Sequence, residues 1–130
     1  MKANELRIGN IVIWGYNDEL CTLLKIGKNE CTFLADGKTE STYCDLDYLK
    51  PIPLTDEWLY WFGAEINHKT YVYDRFKLIW KKAYKYWYVV DKESLTYLTK
   101  VESVHEWQNF VYAMNSEELV GRKKIKEKAK

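Results

Sequence analysis

Two stretches of the chain hold residue types that could do chemistry. The first is VESVHEWQNFVYAMNSEEL, residues 101 to 119, which sets His105, Gln108, Asn109 and Tyr112 among apolar side chains. A histidine titrates near neutral pH and can serve as a general base. Asn109, one helical turn further on, would orient a substrate as a donor. That chemistry lacks a nucleophile and a carboxylate of defined role. The four residues therefore read as a candidate binding face, or as the polar side of a packing helix, ahead of a catalytic site.

The second stretch is KLIWKKAYKYWYVV, residues 77 to 90, in which Lys81, Lys82 and Lys85 interleave with Trp80, Tyr84, Tyr86, Trp87 and Tyr88. Single-stranded nucleic acid binds by stacking its bases on aromatic rings beside positive charge, which makes this a candidate stacking and basic hairpin. The competing reading buries the rings in a sheet and leaves the lysines on its solvent side and edges. One helix cannot cover both faces of such a strand, so some of the rings must be half exposed or covered by other protein.

The remaining reactive types give weaker signals. His68, in EINHKT, has no ligand partner at metal-binding spacing. Cys21, Cys31 and Cys44 are an odd number with no CxxC, and they fall on strand-like segments as small core residues. No GxGxxG, Walker loop, GxSxG or HExxH occurs. Asp56-Glu57 and Glu117-Glu118 lie near helix starts, where capping accounts for them. No cofactor and no metal are expected, and an enzyme ranks third among the function classes.

The elements that must carry these residues follow from pattern and punctuation. Short strands are expected at 11–14, 20–26, 31–35 and 41–44, with Asp36-Gly37 as a hairpin turn. That rhythm suits a small bent sheet or SH3-like barrel, an analogy of fold alone. Pro51 and Pro53 hold an extended segment, and Thr55 then caps a helix over 56–62 that stops at Gly63. An antiparallel sheet of about three strands is expected, with strands at 76–81 and 84–90, a turn at Lys82-Ala83, and LTYLT at 95–99 as the third strand or the approach to the last helix. Tyr84, Tyr86, Tyr88 and Val90 would share one face of its second strand, and Trp87 and Val89 the other. A helix over 101–114 backs this sheet. Val104, Trp107, Phe110, Val111 and Met114 supply its apolar side, so Trp107 is expected in the core and His105 outside it. The fold class is α+β. The division expected is a single domain over 1–121, or subdomains 1–54 and 55–121, with a basic tail at 122–130.

Composition limits the partners. The segment 122–130 holds six basic residues and one acid, so an overall charge of +1 leaves residues 1–121 at −4. A mildly acidic body does not favour a nucleic-acid footprint over its whole surface. A terminal lysine run reads as a solvated end, although it would add phosphate contacts. Unpaired cysteines and the lack of an apolar leader point to the cytoplasm, and no apolar run approaches the ~18 residues of a membrane span. Oligomeric state is not set by the sequence.

Three segments together resemble a family. NELRIGN at 4–10, LKPIPLTDEWLYWFG at 49–63 and VESVHEWQNFVYAMNSEEL at 101–119 are similar to small uncharacterised proteins encoded in Bacteroidetes genomes, often in phages or mobile elements. Their pattern is ELRIGN, then PIPLTEEWL and FGF, then YVHQLQNLYFALTGEEL. The residues that carry over are Leu6, Gly9, Asn10, Pro51, Pro53, Leu54, Trp58, Leu59 and Gly63, then Val104, His105, Gln108, Asn109, Ala113, Glu118 and Leu119. This chain has Trp107 for the family's leucine and Asn115-Ser116 for its Thr-Gly. The resemblance implies an accessory protein of a phage or mobile element and assigns no catalytic residue. A protein-binding module is the leading expectation, with single-stranded nucleic-acid binding by the 80–90 hairpin as the alternative.

Overall fold

The structure, a computed structural model, describes residues 1–15 and 18–120, and the basic tail expected at 122–130 lies outside them. The chain is α+β with two antiparallel five-stranded sheets, one of them curled. It divides into two compact units. The first comprises Met1–Pro53 with Ser103–Glu118, and the second Leu54–Glu102 with, among the described residues, Leu119 and Val120. The division falls one residue before the expected boundary, and the last helix returns to the first unit.

In the first unit the strands are β1 (Ile11–Trp14), β2 (Glu19–Ile26), β3 (Glu30–Ala35), β4 (Thr42–Asp45) and β5 (Leu49–Lys50), in the order β4-β3-β2-β1-β5. Asp36-Gly37 does turn β3 into β4, with Gly37 at φ +81°, a conformation that costs glycine nothing. A register shift between Leu23 and Lys25 bulges β2 and bends the sheet. Alternation on β3 sends Cys31, Phe33 and Ala35 inward, where they join Val12, Leu23 and Leu46 in one apolar cluster.

Helix α2 (Val104–Asn115) begins three residues later than its pattern suggests, because Ser103 caps it. The Ser103 hydroxyl accepts from the Glu106 N–H, and the Glu106 carboxylate accepts from the Ser103 N–H, a reciprocal capping box. The helix ends at Ser116, which takes the left-handed conformation at φ 55° and donates its N–H to the Tyr112 carbonyl.

The second unit opens with α1 (Asp56–Trp61), capped by the Thr55 hydroxyl at 3.4 Å from the Trp58 nitrogen. Gly63 ends it at φ +99°, and the Ala64 N–H returns to the Leu59 carbonyl. A meander follows: β6 (Glu65–Asn67), β7 (Thr70–Tyr73), β8 (Phe76–Lys81), β9 (Tyr86–Asp91) and β10 (Tyr97–Val101), in spatial order β10-β9-β8-β7-β6. Five strands stand where about three were expected. The β6–β7 turn places His68 and Lys69 at φ 50° and 69° without a glycine or asparagine at either position, so no turn signal marked it. Trp58, Leu59, Phe62, Phe76, Leu78, Trp87 and Val89 are buried, and the Trp87 indole N–H donates to the Leu54 carbonyl at 2.8 Å.

Candidate functional site

The first candidate face does not lie on a surface. His105 is 5% exposed and Gln108 is fully buried, while Asn109 is half-buried and Tyr112 exposed. Both expectations, that the four form one open polar face and that His105 lies outside the core, are therefore corrected. The reason is angular. Gln108 stands four residues after Val104 and three before Val111, so it sits in the middle of the buried stripe. Trp107, Val104 and Val111 are buried as expected, whereas Met114 is 41% exposed.

The buried amides form a clamp. The Gln108 side-chain oxygen accepts from the Ile11 N–H at 2.8 Å, and its nitrogen donates to the Gly9 carbonyl at 3.1 Å. The Asn10 amide donates to Asn109 at 2.7 Å, and Asn109 donates to the Glu5 carbonyl at 3.1 Å. The Arg7 guanidinium lies 3.9 Å from the centre of the Tyr112 ring and pairs with the Glu118 carboxylate. Residues of NELRIGN thus meet residues of VHEWQN and EEL directly. Ile52 and Pro53 join the same helix start, the Ile52 carbonyl accepting from the Val104 N–H and Pro53 bridging to Ser103. Gln108 and Asn109 tie the helix to the backbone of residues 5–11, while Asn10–Asn109 and Arg7–Glu118 join side chain to side chain.

His105 bonds through Nδ1 with the Ser103 hydroxyl at 3.0 Å. Burial holds its pKa below the ordinary histidine value, with Glu106 and Glu5 opposing the shift. The unfolded chain therefore takes up this proton first as pH falls. Stability should drop from about pH 6.5 down through the folded-state pKa and level off below it. Denaturation midpoints measured against pH should show this step, and His105→Gln should flatten it.

The cysteines are packing residues. All three are free and buried, and burial pushes Cys21 and Cys31 up to about 12. Cys31 and Cys44 face each other across β3 and β4 with their sulfurs 3.8 Å apart. His68 is exposed in the β6–β7 turn. Among the described residues no group of three or more His, Cys, Asp or Glu could hold a metal ion, and no helix is long and apolar enough to cross a membrane.

The second candidate is a surface. Trp87 and Val89 point into the core of the second unit, while Tyr86 and Tyr88 are half-buried on the other face. Tyr84 lies in the turn and not in the strand, because Lys85 takes φ 58° and its N–H closes the turn on the Lys81 carbonyl. Its ring is still aligned with the strand: Tyr84 stacks on Tyr86 at 5.5 Å and 12°, and Tyr86 on Tyr88 at 5.3 Å and 28°. Tyr97 on β10 meets Tyr88 edge-on at 5.3 Å. Lys81 places its ammonium 4.8 Å over the Tyr88 ring, and Lys100 places its own 4.8 Å over Tyr86. Tyr86 donates to the Tyr88 hydroxyl, and this bond first, then desolvation, pushes Tyr86 up to about 12.

No family model, no curated protein and no solved structure matches the chain. The face must be read from its own chemistry. Trp80 stands apart from the ladder: it pairs with Trp87 across the strands, 5.2 Å between rings, and is 44% exposed. Lys82 and Lys85 are exposed in the turn and flank Tyr84. Two residues of the ladder were not singled out in the sequence, Tyr97 and Lys100. Their signal was present in TYLTK, but the shift of register between Tyr97 and Thr99 hides which side chains share a face.

Proposed function

We propose that the chain is a non-catalytic accessory protein of a phage or mobile element, acting in the cytoplasm, which docks an acidic segment of a protein partner on the tyrosine and lysine face of its second sheet. The genetic setting rests on the resemblance of the three segments, and the compartment on three reduced thiols. The docking role rests on one observation: the rings of Tyr86 and Tyr88 are already engaged by neighbouring rings and ammoniums, which leaves Tyr84, at the end of the ladder and 67% exposed, as the one ring of the three with no partner over it but Tyr86 among the described residues. Tyr86 lies between Tyr84 and Tyr88, and lysine ammoniums sit over Tyr86 and Tyr88. A nucleobase needs an open ring face to stack on. A protein segment needs rigid amphipathic area and a charge of opposite sign, and tyrosine supplies that area at low entropic cost. Lys81 and Lys100 set the sign, so the partner segment carries Asp or Glu.

Panning a random peptide library on the full-length protein tests this. Enriched peptides should be acidic, with apolar or aromatic residues between the acids. Tyr86→Ala, which leaves the core face of β9 untouched, should weaken a selected peptide roughly tenfold, or about 1.4 kcal/mol. Enrichment that ignores acids, or that survives loss of Tyr86 and Lys81, would overturn the reading.

A further inference from the structure

Three carboxylates and three aromatic rings converge on one cleft of the second unit. The cleft has a volume of about 480 Å³ and lies between α1 and the β6–β7 hairpin. Helix α1 contributes Tyr60 and Trp61, and β7 contributes Tyr71, while Asp56, Glu57 and Glu65 supply the charge. No basic residue lines it. Its rim is open and apolar, with Ile66 69% exposed and Tyr60 49% exposed.

Local structure explains only part of this set. Asp56 and Glu57 suit the first turn of α1, and Asp56 also hydrogen-bonds Tyr71, whose pKa is raised by burial and by that carboxylate. Glu65 has no such reason, since its cross-strand neighbour is Val72. Among the described residues none of the three carboxylates has an ion-pair partner.

We propose that this cleft binds the guanidinium of an arginine side chain presented by a basic partner segment. A guanidinium is planar, weakly hydrated and always charged. It stacks on tryptophan and tyrosine rings while its fork of N–H donors reaches carboxylates. The cleft offers both surfaces within the volume of a small ligand site, ~300–1,000 Å³. An anion would meet three like charges, and a neutral apolar group would desolvate the carboxylates with no return.

The test uses full-length protein labelled with ¹⁵N and two capped peptides, one alternating arginine with glycine and the other identical but with citrulline. Citrulline keeps the shape and loses the charge. The arginine peptide should shift the Trp61 indole signal and the amides from 56 to 66 and of Tyr71, and the citrulline peptide should bind at least about tenfold more weakly. The isosteric pair Glu57→Gln and Glu65→Gln, both at exposed positions, should remove roughly tenfold of affinity while the spectrum stays dispersed. Tyr86→Ala should leave this binding unchanged, which separates the cleft from the tyrosine face. Equal binding of the citrulline peptide, shifts confined to other acidic positions, or full affinity in the double variant would each overturn the proposal.

Discussion

Trp107→Ala is expected to lower the unfolding free energy by about 3–5 kcal/mol, the largest effect of any single truncation considered. Trp107 has no exposed surface, and its ring stacks on Phe110 at 5.9 Å and 17°. Alanine would leave a cavity the size of an indole in the middle of the α2 stripe, between Val104 and Val111, and close packing gives the neighbours little room to collapse into it. Chemical denaturation of the purified protein measures the loss. Met114→Ala, on the same helix but 41% exposed, should cost far less. A comparable loss at both positions would mean that the helix is held by something other than its buried stripe.

Gln108→Leu should be nearly as damaging, although it makes a buried position more apolar. The amide satisfies two backbone groups at once, the Ile11 N–H and the Gly9 carbonyl. Leucine fills the space but leaves both unpaired. At ~1–3 kcal/mol for each buried unsatisfied group, the expected loss is about 2–4 kcal/mol after the gain in apolar burial. Gln108→Glu would keep the acceptor for Ile11, lose the donor to Gly9 and bury a charge, so it too should destabilise. Amide exchange gives a second readout: the Ile11 N–H should exchange faster in Gln108→Leu, while core amides such as Leu78 in the second unit change less. Asn109→Ala, at a half-buried position, should cost less than either change at Gln108. A neutral Gln108→Leu would show that water or backbone movement satisfies the two groups and that the clamp is incidental.

Most of the fold was legible because its signals are local. Asp36-Gly37, Thr55 and Gly63 each act within a few residues, and each stands where its backbone preference places it. The alternation on β9 also set Trp87 and Val89 on one face and Tyr86 and Tyr88 on the other, and the structure shows that the Trp87 face is the buried one. What the sequence hid depends on distance or on unmarked turns. His68-Lys69 makes a tight hairpin turn from residues that carry no turn signature, so EINHKT reads as a loop and β6 is hidden, although TYVY has strand character of its own. Ser116 adopts the left-handed conformation without being a glycine, so the turn after α2 carries no glycine signal in the sequence. At Gln108 the spacing was informative and polarity misled. A glutamine in phase with Val104 and Val111 belongs to the buried side, and its partners, Gly9 and Ile11, lie about a hundred positions away in the chain. The ladder was legible for Tyr84, Tyr86 and Tyr88, and lost Tyr97 and Lys100 to a bulge. The acidic cleft had no sequence signal as a unit, because Asp56, Glu65 and Tyr71 meet only through the missed hairpin.

The docking claim is tested most directly by one paired titration, read as fluorescence anisotropy at low salt, where phosphate contacts are strongest. Wild-type protein and Tyr86→Ala are each titrated into a labelled acidic peptide taken from the panning and into a labelled oligothymidine single strand. The account predicts saturable binding of the peptide, weakened roughly tenfold by Tyr86→Ala, and weak oligonucleotide binding that the substitution does not change. Saturable oligonucleotide binding that falls roughly tenfold with Tyr86→Ala, beside a peptide indifferent to it, would contradict the account and make the tyrosine face a stacking platform for nucleic acid.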